Sequence, residues 1–217
     1  MEPDRTQQLL AVHRLLPVIV MNDADGAQPL GHTLVDTGLP IAEVTLRTPA
    51  ALDAIERMAD VPGLLVGAGT VLDVEQVEQS ARAGAHFIVS PGFDADVVRR
   101  SLELALLPIP GVATATEVQA ALRSGAPLLK FFPAGPLGGP AALRALAAPF
   151  PNVRFVPTGG IGMDDVAGYL DLPSVVAVGG SFMVPSAELQ AGDQQRIGQR
   201  VRDAVARVAA TARTGTT

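Results

Sequence analysis

Lys130 is the only lysine in a chain of 217 residues that also contains fifteen arginines. It lies within the apolar run 128–132, which is typical of a buried strand. An unpartnered ammonium is costly to bury, so we expect its side chain to face a sheltered cavity and not the packed helices. There, an amine that is uncharged part of the time can attack a ketone and form a Schiff base. A lysine that reaches solvent from the end of the strand is the alternative.

A second run, 43–47, carries partner groups for such an amine. Its sequence alternates polar and apolar residues, so Glu43, Thr45 and Arg47 share one face of the predicted strand. Arg47 can hold a carboxylate with two parallel N–H groups, and Glu43 can move protons beside an iminium. A structural ion pair between Glu43 and Arg47 is the alternative interpretation.

Glycine-rich turns follow three of the predicted strands. Thr70 comes directly after the Gly-Ala-Gly segment 67–69 and can donate a hydrogen bond to a carboxylate. The segments 158–161 (Thr-Gly-Gly-Ile) and 179–181 (Gly-Gly-Ser) come late in the chain. Successive free N–H groups in such turns bind anions, so two turns side by side predict a site for a phosphate monoester.

The elements that must position these residues alternate regularly. Short apolar runs predict strands over residues 17–21, 41–46, 64–68, 86–90, 106–109, 127–132, 153–157 and 175–178. Amphipathic stretches predict helices over residues 27–37, 49–59, 73–83, 94–103, 114–123, 140–147, 164–170 and 193–209, with Asp73 and Thr114 as N-caps. Eight such units predict a single-domain α/β protein, a (β/α)₈ TIM barrel with its core over about 15–209 and a flexible tail over 211–217. An open doubly wound sheet is the alternative.

Composition excludes several classes of function. The net charge is −6 and no basic run is present, which argues against a nucleic-acid partner. The chain has no cysteine, so thiolate catalysis and zinc–thiolate sites are excluded. Its three histidines lack metal-ligand spacing, and we expect neither a metal nor a cofactor. No apolar stretch is long enough for a membrane span and the first residues are polar, so we expect a cytoplasmic protein.

Two segments are specific to one enzyme family: Glu-Val-Thr-Leu-Arg-Thr at 43–48 and Leu-Lys-Phe-Phe-Pro-Ala at 129–134. Weaker matches occur in the same order at 17–20, 66–71, 90–92, 109–111, 157–161 and 179–182. Together these segments resemble the 2-keto-3-deoxy-6-phosphogluconate (KDPG) aldolases, which overlap with the 4-hydroxy-2-oxoglutarate aldolases. The resemblance spans nearly the whole chain, from about 17 to 207.

The resemblance implies a class I aldolase that cleaves KDPG reversibly to pyruvate and D-glyceraldehyde 3-phosphate, as a homotrimer without metal. It also implies roles for individual residues. Lys130 forms the Schiff base and Glu43 is the general acid/base. The residues that hold the pyruvate carboxylate are Arg47 and Thr70, and those that shape the pyruvate pocket are Pro91 and Phe132. The residues that hold the phosphate are Thr158, Gly159, Gly160, Gly180 and Ser181.

One departure and three rival functions bear on these expectations. Some relatives carry a phosphate-binding arginine late in strand one, where this chain has Val20, which leaves room for a less phosphate-dependent substrate. An aldolase for the C4 epimer, 2-dehydro-3-deoxy-6-phosphogalactonate, is the nearest rival, although its typical strand-two sequence is Glu-Ile-Pro-Leu-Asn. An isomerase on a phosphate-binding barrel leaves the buried lysine unexplained. A non-catalytic phosphosugar or pyruvate sensor needs no iminium.

Overall fold

Parallel strands and helices alternate along the chain. A computed structural model describes residues 3–214, with side chains described for residues 5–210. The strands within that range are β1 (Leu15–Ile19), β2 (Ile41–Thr45), β3 (Leu65–Gly69), β4 (Phe87–Val89), β5 (Leu107–Ile109), β6 (Gly111–Val112), β7 (Leu129–Phe131), β8 (Phe155–Pro157) and β9 (Val178–Gly180). The helices are α1 (Pro3–His13), α2 (Ala27–Asp36), α3 (Ala51–Ala59), α4 (Val74–Arg82), α5 (Ala95–Glu103), α6 (Ala115–Arg123), α7 (Gly139–Ala147), α8 (Val166–Leu170), α9 (Ser186–Gln190) and α10 (Gln194–Thr214).

The strands close into one barrel. Hydrogen-bonded neighbours run in the order β5-β4-β3-β2-β1-β9 in one sheet and β6-β7-β8 in the other. Pro110, which has no N–H to donate, is the single residue between β5 and β6, so these two strands form one interrupted strand of the barrel. Two parallel bridges, Phe155 with Val175 and Thr158 with Gly179, join β8 to the β9 segment. The predicted eight-stranded barrel is therefore confirmed, and the open sheet is wrong.

Helices surround the barrel with apolar faces turned inward. In α3 the buried residues are Ala51, Ala54, Ile55 and Met58, which follow the three-to-four spacing of one helix face. Both predicted N-caps are confirmed, since Asp73 accepts a hydrogen bond from the backbone of α4 and Thr114 forms a capping box with Glu117. No helix among the described residues combines the length and the apolar character needed to cross a bilayer.

Two helices lie outside the predicted set, and the last one is longer than predicted. Helix α1 contacts both β1 and β5, which have three other strands between them in the sheet, so it crosses the N-terminal end of the barrel. Leu10 of α1 is fully buried there. The short helix α9 precedes α10, and α10 continues to Thr214 although a tail is predicted from Thr211. Residues 215–217 of that tail lie outside the described range.

The last strand is displaced from its predicted position. The sequence predicts it over 175–178, but β9 begins at Val178 and includes two glycines, while Val175 forms only an isolated bridge. Glycine normally weakens a strand. Here a Cβ on Gly179 would lie 2.3 Å from the hydroxyl of Thr158, so the strand needs a residue without a side chain at this point. The close packing of β8 against β9 therefore outweighs the low strand propensity of glycine.

Candidate active site

A cavity of about 280 Å³ opens among the ends of the barrel strands. Every site residue that the sequence predicts lines this cavity. The lining residues are Val18, Glu43, Thr45, Arg47, Thr70, Pro91, Lys130, Phe132, Thr158, Gly159, Gly160, Ile161, Gly180 and Ser181. Of these, Val18, Thr45 and Ile161 were not predicted as site residues. The sequence could have indicated Thr45 as a site residue, because it shares the polar face of its predicted strand with Glu43 and Arg47.

Lys130 projects from β7 into this cavity and is only 5% exposed. Its Nζ lies 3.5 Å from Oε1 of Glu43 and 4.9 Å from the centre of the Phe132 ring. A lysine that reaches solvent from a strand end is therefore wrong for this residue. The amine is held in a sheltered place between an acid and an aromatic face.

Glu43 is fully buried on β2, and neither of its carboxylate oxygens accepts a hydrogen bond from any described protein group. Gly69, at the end of the neighbouring strand β3, gives the carboxylate its room. A Cβ at this position would lie 2.2 Å from Oε1 and 2.7 Å from Cγ of Glu43. Burying a carboxylate without such partners is costly. Because its oxygens accept no hydrogen bond from the described groups, they remain available to the amine and to a ligand in the cavity.

Arg47 differs from its predicted position. Strand β2 ends at Thr45, so Arg47 lies in the following turn and is exposed at the mouth of the cavity. The predicted alternative of a Glu43–Arg47 ion pair is wrong, because Glu43 pairs with Lys130 and no described carboxylate pairs with Arg47. The Nε of Arg47 donates to Oγ1 of Thr45 at 3.1 Å. No described group accepts a hydrogen bond from its terminal N–H groups, which can therefore bind an anion in the cavity.

Thr70 has a strained backbone. Its φ is +58°, a left-handed conformation that a β-branched residue rarely adopts and that costs about 1–3 kcal/mol. The backbone on both sides is fixed, because the N–H of Leu46 donates to Gly69 and the N–H of Val71 donates to Val89. No sequence signal predicted this conformation, since threonine disfavours it. Strain of this kind is common where a side chain must be aimed at a ligand.

Another part of the cavity lining is formed by backbone. Gly159 and Gly160 have φ values of +92° and +68°, which only glycine adopts without strain. In the described part of the chain, no group accepts a hydrogen bond from the amides of Gly160, Ile161 or Ser181. Among the lining residues, the cationic side chains are Lys130 and Arg47 alone, so this end offers an anion dipoles and not charges.

We call these two regions the amine end (Glu43, Arg47, Thr70 and Lys130) and the glycine end (Gly159, Gly160, Ile161 and Ser181). Val20, which occupies the place of an arginine in some relatives, lies just after β1 and outside the cavity lining, to which β1 contributes Val18. Within residues 5–210, no three His, Asp or Glu side chains cluster in a way that could hold a metal ion. The arrangement suits covalent catalysis by an amine on a ligand with two anionic ends.

A model of the family described as KDPG and KHG aldolase matches residues 6–200 of the chain. The chain belongs to this family. KHG is 2-keto-4-hydroxyglutarate, also called 4-hydroxy-2-oxoglutarate. The resemblance carried by the segments at 43–48 and 129–134 is therefore confirmed, and the TIM-barrel fold agrees with that of solved members of the KDPG and KHG aldolase family.

Individual members of the KDPG and KHG aldolase family match nearly the whole chain. The 2-dehydro-3-deoxy-phosphogluconate aldolase of Treponema pallidum is 47% identical over 188 residues, which cover 85% of this chain and 88% of the relative. The KHG/KDPG aldolase of Escherichia coli K12 is 42% identical over 200 residues, covering 92% and 94%. The KDPG aldolase of Legionella pneumophila, solved with pyruvate captured as a covalent carbinolamine, has a TM-score of 0.88 at 36% identity, covering 94% and 98%.

Proposed function

We propose that this chain is a class I aldolase, a carbon–carbon lyase that cleaves KDPG reversibly to pyruvate and D-glyceraldehyde 3-phosphate. The observation that carries the proposal is the buried pair of Lys130 and Glu43, with Nζ and Oε1 3.5 Å apart in a cavity that has anion donors at both ends. The names of the Treponema and Escherichia relatives support the same reaction. A sensor without catalysis would have no use for this pair.

Each step of the proposed mechanism uses a group of the cavity. The uncharged amine of Lys130 attacks the C2 ketone of the substrate, and loss of water leaves an iminium that acts as an electron sink. Glu43, through a water molecule, takes the proton of the C4 hydroxyl. The C3–C4 bond breaks, its electrons pass into an enamine, and the aldehyde leaves. Protonation of the enamine at C3 and hydrolysis of the iminium release pyruvate and restore Lys130.

The two ends of the cavity hold the two anionic ends of the substrate. At the amine end, Arg47 and Thr70 bind the carboxylate next to C2, while Pro91 and Phe132 shape the pocket for the methyl end of pyruvate. At the glycine end, the phosphate is bound by donors that are mainly backbone amides, with the hydroxyl of Ser181 among them. The residues that the family resemblance implies for the phosphate all line the cavity: Thr158, Gly159, Gly160, Gly180 and Ser181.

Coupled measurement of pyruvate release from KDPG tests this function. Replacing Lys130 with Ala removes the nucleophile, so we expect kcat/KM to fall by about 10⁴-fold or more. Lys130→Arg is the matched control, because it keeps a positive charge near Glu43 but cannot form a Schiff base. Glu43→Gln lowers kcat by about 10²- to 10⁴-fold. Substantial activity in Lys130→Arg would contradict the assignment of Lys130.

A second substrate, 4-hydroxy-2-oxoglutarate, is favoured by the glycine end. Backbone amides can donate hydrogen bonds to a carboxylate as well as to a phosphate, and no cationic side chain lines that end. We therefore propose that the enzyme also cleaves this unphosphorylated acid, as the name of the Escherichia relative indicates for that protein. The same assay on KDPG, its C4 epimer and 4-hydroxy-2-oxoglutarate ranks the three substrates. Preference for the epimer would identify the phosphogalactonate aldolase instead.

The proposal also covers the cellular location and the oligomeric state of the enzyme. We expect it to act in the cytoplasm. We also expect a homotrimer, as the family resemblance implies. Sedimentation of the purified chain tests the trimer, because a monomer of 22.3 kDa and its trimer are well separated. A monomer that retains full activity would overturn this expectation and leave the chemistry at Lys130 untouched.

A further inference from the structure

Thr45 lines the cavity, yet the mechanism above gives it no task. It is the last residue of β2, two residues after Glu43 and two before Arg47, and it is only 1% exposed. Its Oγ1 donates to the backbone oxygen of Ile19 at 3.0 Å and accepts from Nε of Arg47 at 3.1 Å. The hydroxyl therefore connects the end of β1 to the arginine at the cavity mouth.

The direction of this chain of hydrogen bonds is set by the chemistry of its members. A guanidinium can only donate, and a backbone carbonyl oxygen can only accept. The hydroxyl has one proton, which it must give to Ile19, and a lone pair then faces Arg47. The arrangement allows no alternative set of proton positions, so Thr45 is a fixed acceptor for Nε of the arginine.

Arg47 needs such a fixed point. It lies beyond the end of β2, it is exposed, and among the described side chains it has no carboxylate partner. A free arginine side chain loses about 2 kcal/mol of rotamer entropy when it is held in one position. The bond to Thr45 uses Nε only, so both terminal nitrogens remain available for a planar, two-point contact with a carboxylate.

We propose that Thr45 is a positioning residue that holds the Arg47 guanidinium in the orientation that binds the substrate carboxylate. This proposal rests on the proposed function, because it takes the carboxylate of pyruvate or KDPG as the ligand of Arg47. Thr45 touches neither the reacting carbons nor the amine in the mechanism. It acts through the arginine, and its effect is on carboxylate binding more than on bond cleavage.

Thr45→Val tests the proposal, because valine has nearly the same shape but has no hydroxyl. We expect the pyruvate concentration that half-saturates borohydride trapping to rise about five- to twentyfold, since one hydrogen bond to a charged group is lost. The KM for KDPG rises in parallel, while kcat changes by less than about threefold, because the lost contact binds substrate and transition state alike. Thr45→Ser restores the hydroxyl and is expected to recover most of the affinity.

A double-mutant cycle separates positioning from a structural role of the hydroxyl. In an Arg47→Ala background there is no guanidinium to orient, so Thr45→Val has no further effect on pyruvate half-saturation. A structural hydroxyl would instead give additive losses and would lower the melting temperature together with kcat. Should Thr45→Val not fold, Thr45→Ala completes the same cycle. Additive losses, or a Thr45→Val protein with normal pyruvate affinity, would overturn the proposal.

Failure of the proposed function looks different from failure of this inference. If the wild-type protein is not trapped by borohydride at any pyruvate concentration, the Schiff-base function itself fails. If trapping is normal in the wild type and unchanged in Thr45→Val, only the positioning role fails. The two results are read from the same titration.

Discussion

At the amine end of the cavity the polar groups are side chains, and all but Arg47 are carried by strands or by strained backbone. At the glycine end the polar groups are amides of two turns. Lys130 and Glu43 are 5% and 0% exposed, and Thr70 has a left-handed backbone fixed on both sides. Gly160 is exposed, and its amide has no acceptor among the described residues. The amine end thus relies mostly on buried side chains, and the glycine end relies on exposed backbone amides.

This difference has a chemical reason. A Schiff base requires an amine and an acid within a narrow range of distances, and buried strands hold side chains to that precision. An anion that does not react only needs several N–H groups pointing towards it. A glycine turn provides such groups for any small anion. We therefore expect substitutions at the amine end to affect catalysis of every substrate, and those at the glycine end to affect one substrate more than another.

Among the variants that compare the two ends, we expect the largest loss of activity for Gly69→Ala. The added Cβ would lie 2.2 Å from Oε1 of Glu43, so the carboxylate must leave its position near Lys130. We expect kcat to fall by about 10²-fold or more for both KDPG and 4-hydroxy-2-oxoglutarate. Gly26→Ala is the matched control, because its Cβ would have only an ordinary contact, at 3.7 Å from Met21. Equal activity of the two variants would show that Glu43 does not need its present position.

A smaller and more selective effect is expected for Ser181→Ala at the glycine end. Loss of one hydroxyl donor raises the KM for KDPG by about tenfold, because a hydrogen bond to a charged phosphate is lost. Pyruvate has no distal anion, so its half-saturation in borohydride trapping stays within about twofold of the wild type. Steady-state kinetics and trapping on the same preparation check both parts. A rise in both values would contradict the separation of the two ends.

The smallest effect is expected outside the cavity lining, at the capping box of α6. The backbone N–H of Ala113 is the main reason that the pKa of Glu117 lies below its ordinary value. Glu117→Gln should lower stability by about 0.5–1 kcal/mol at neutral pH and leave kcat and KM unchanged. Because the folded-state pKa is lowered, the wild-type advantage is complete above the ordinary pKa and is lost as pH falls through the lowered one. Denaturant unfolding at pH 7 and pH 3 measures this; an advantage that grows at pH 3 would contradict it.

The residues that strand alternation predicts are those that the structure brings together most clearly. Glu43 and Lys130 are polar residues inside apolar strands, so burial and period-two patterning were enough to assign both to the interior. The prediction that Arg47 lies on the same strand face was wrong, because β2 ends two residues earlier. An alternating sequence does not show where the strand ends. The left-handed backbone of Thr70 could not be predicted, since threonine's local preference opposes it.

Tertiary packing explains the other differences between sequence and structure. Helix α1 has little apolar periodicity, and its position across the barrel end depends on contacts with β1 and β5 that are distant from each other in sequence. The displacement of β9 to Val178–Gly180 depends on the close approach of Gly179 to Thr158, two segments about twenty residues apart. Local signals thus define the alternating elements, while close contacts between strands define their ends.

The most direct test of the central claim is to find which amine pyruvate modifies. The protein is incubated with saturating pyruvate, reduced with borohydride, digested and mapped by peptide mass spectrometry. Because Lys130 is the single lysine of the chain, an adduct on its peptide identifies the Schiff base without ambiguity. We predict one adduct, on the peptide that contains Lys130, formed before any on the N-terminal amine. An unmodified Lys130 peptide at saturating pyruvate would contradict the account.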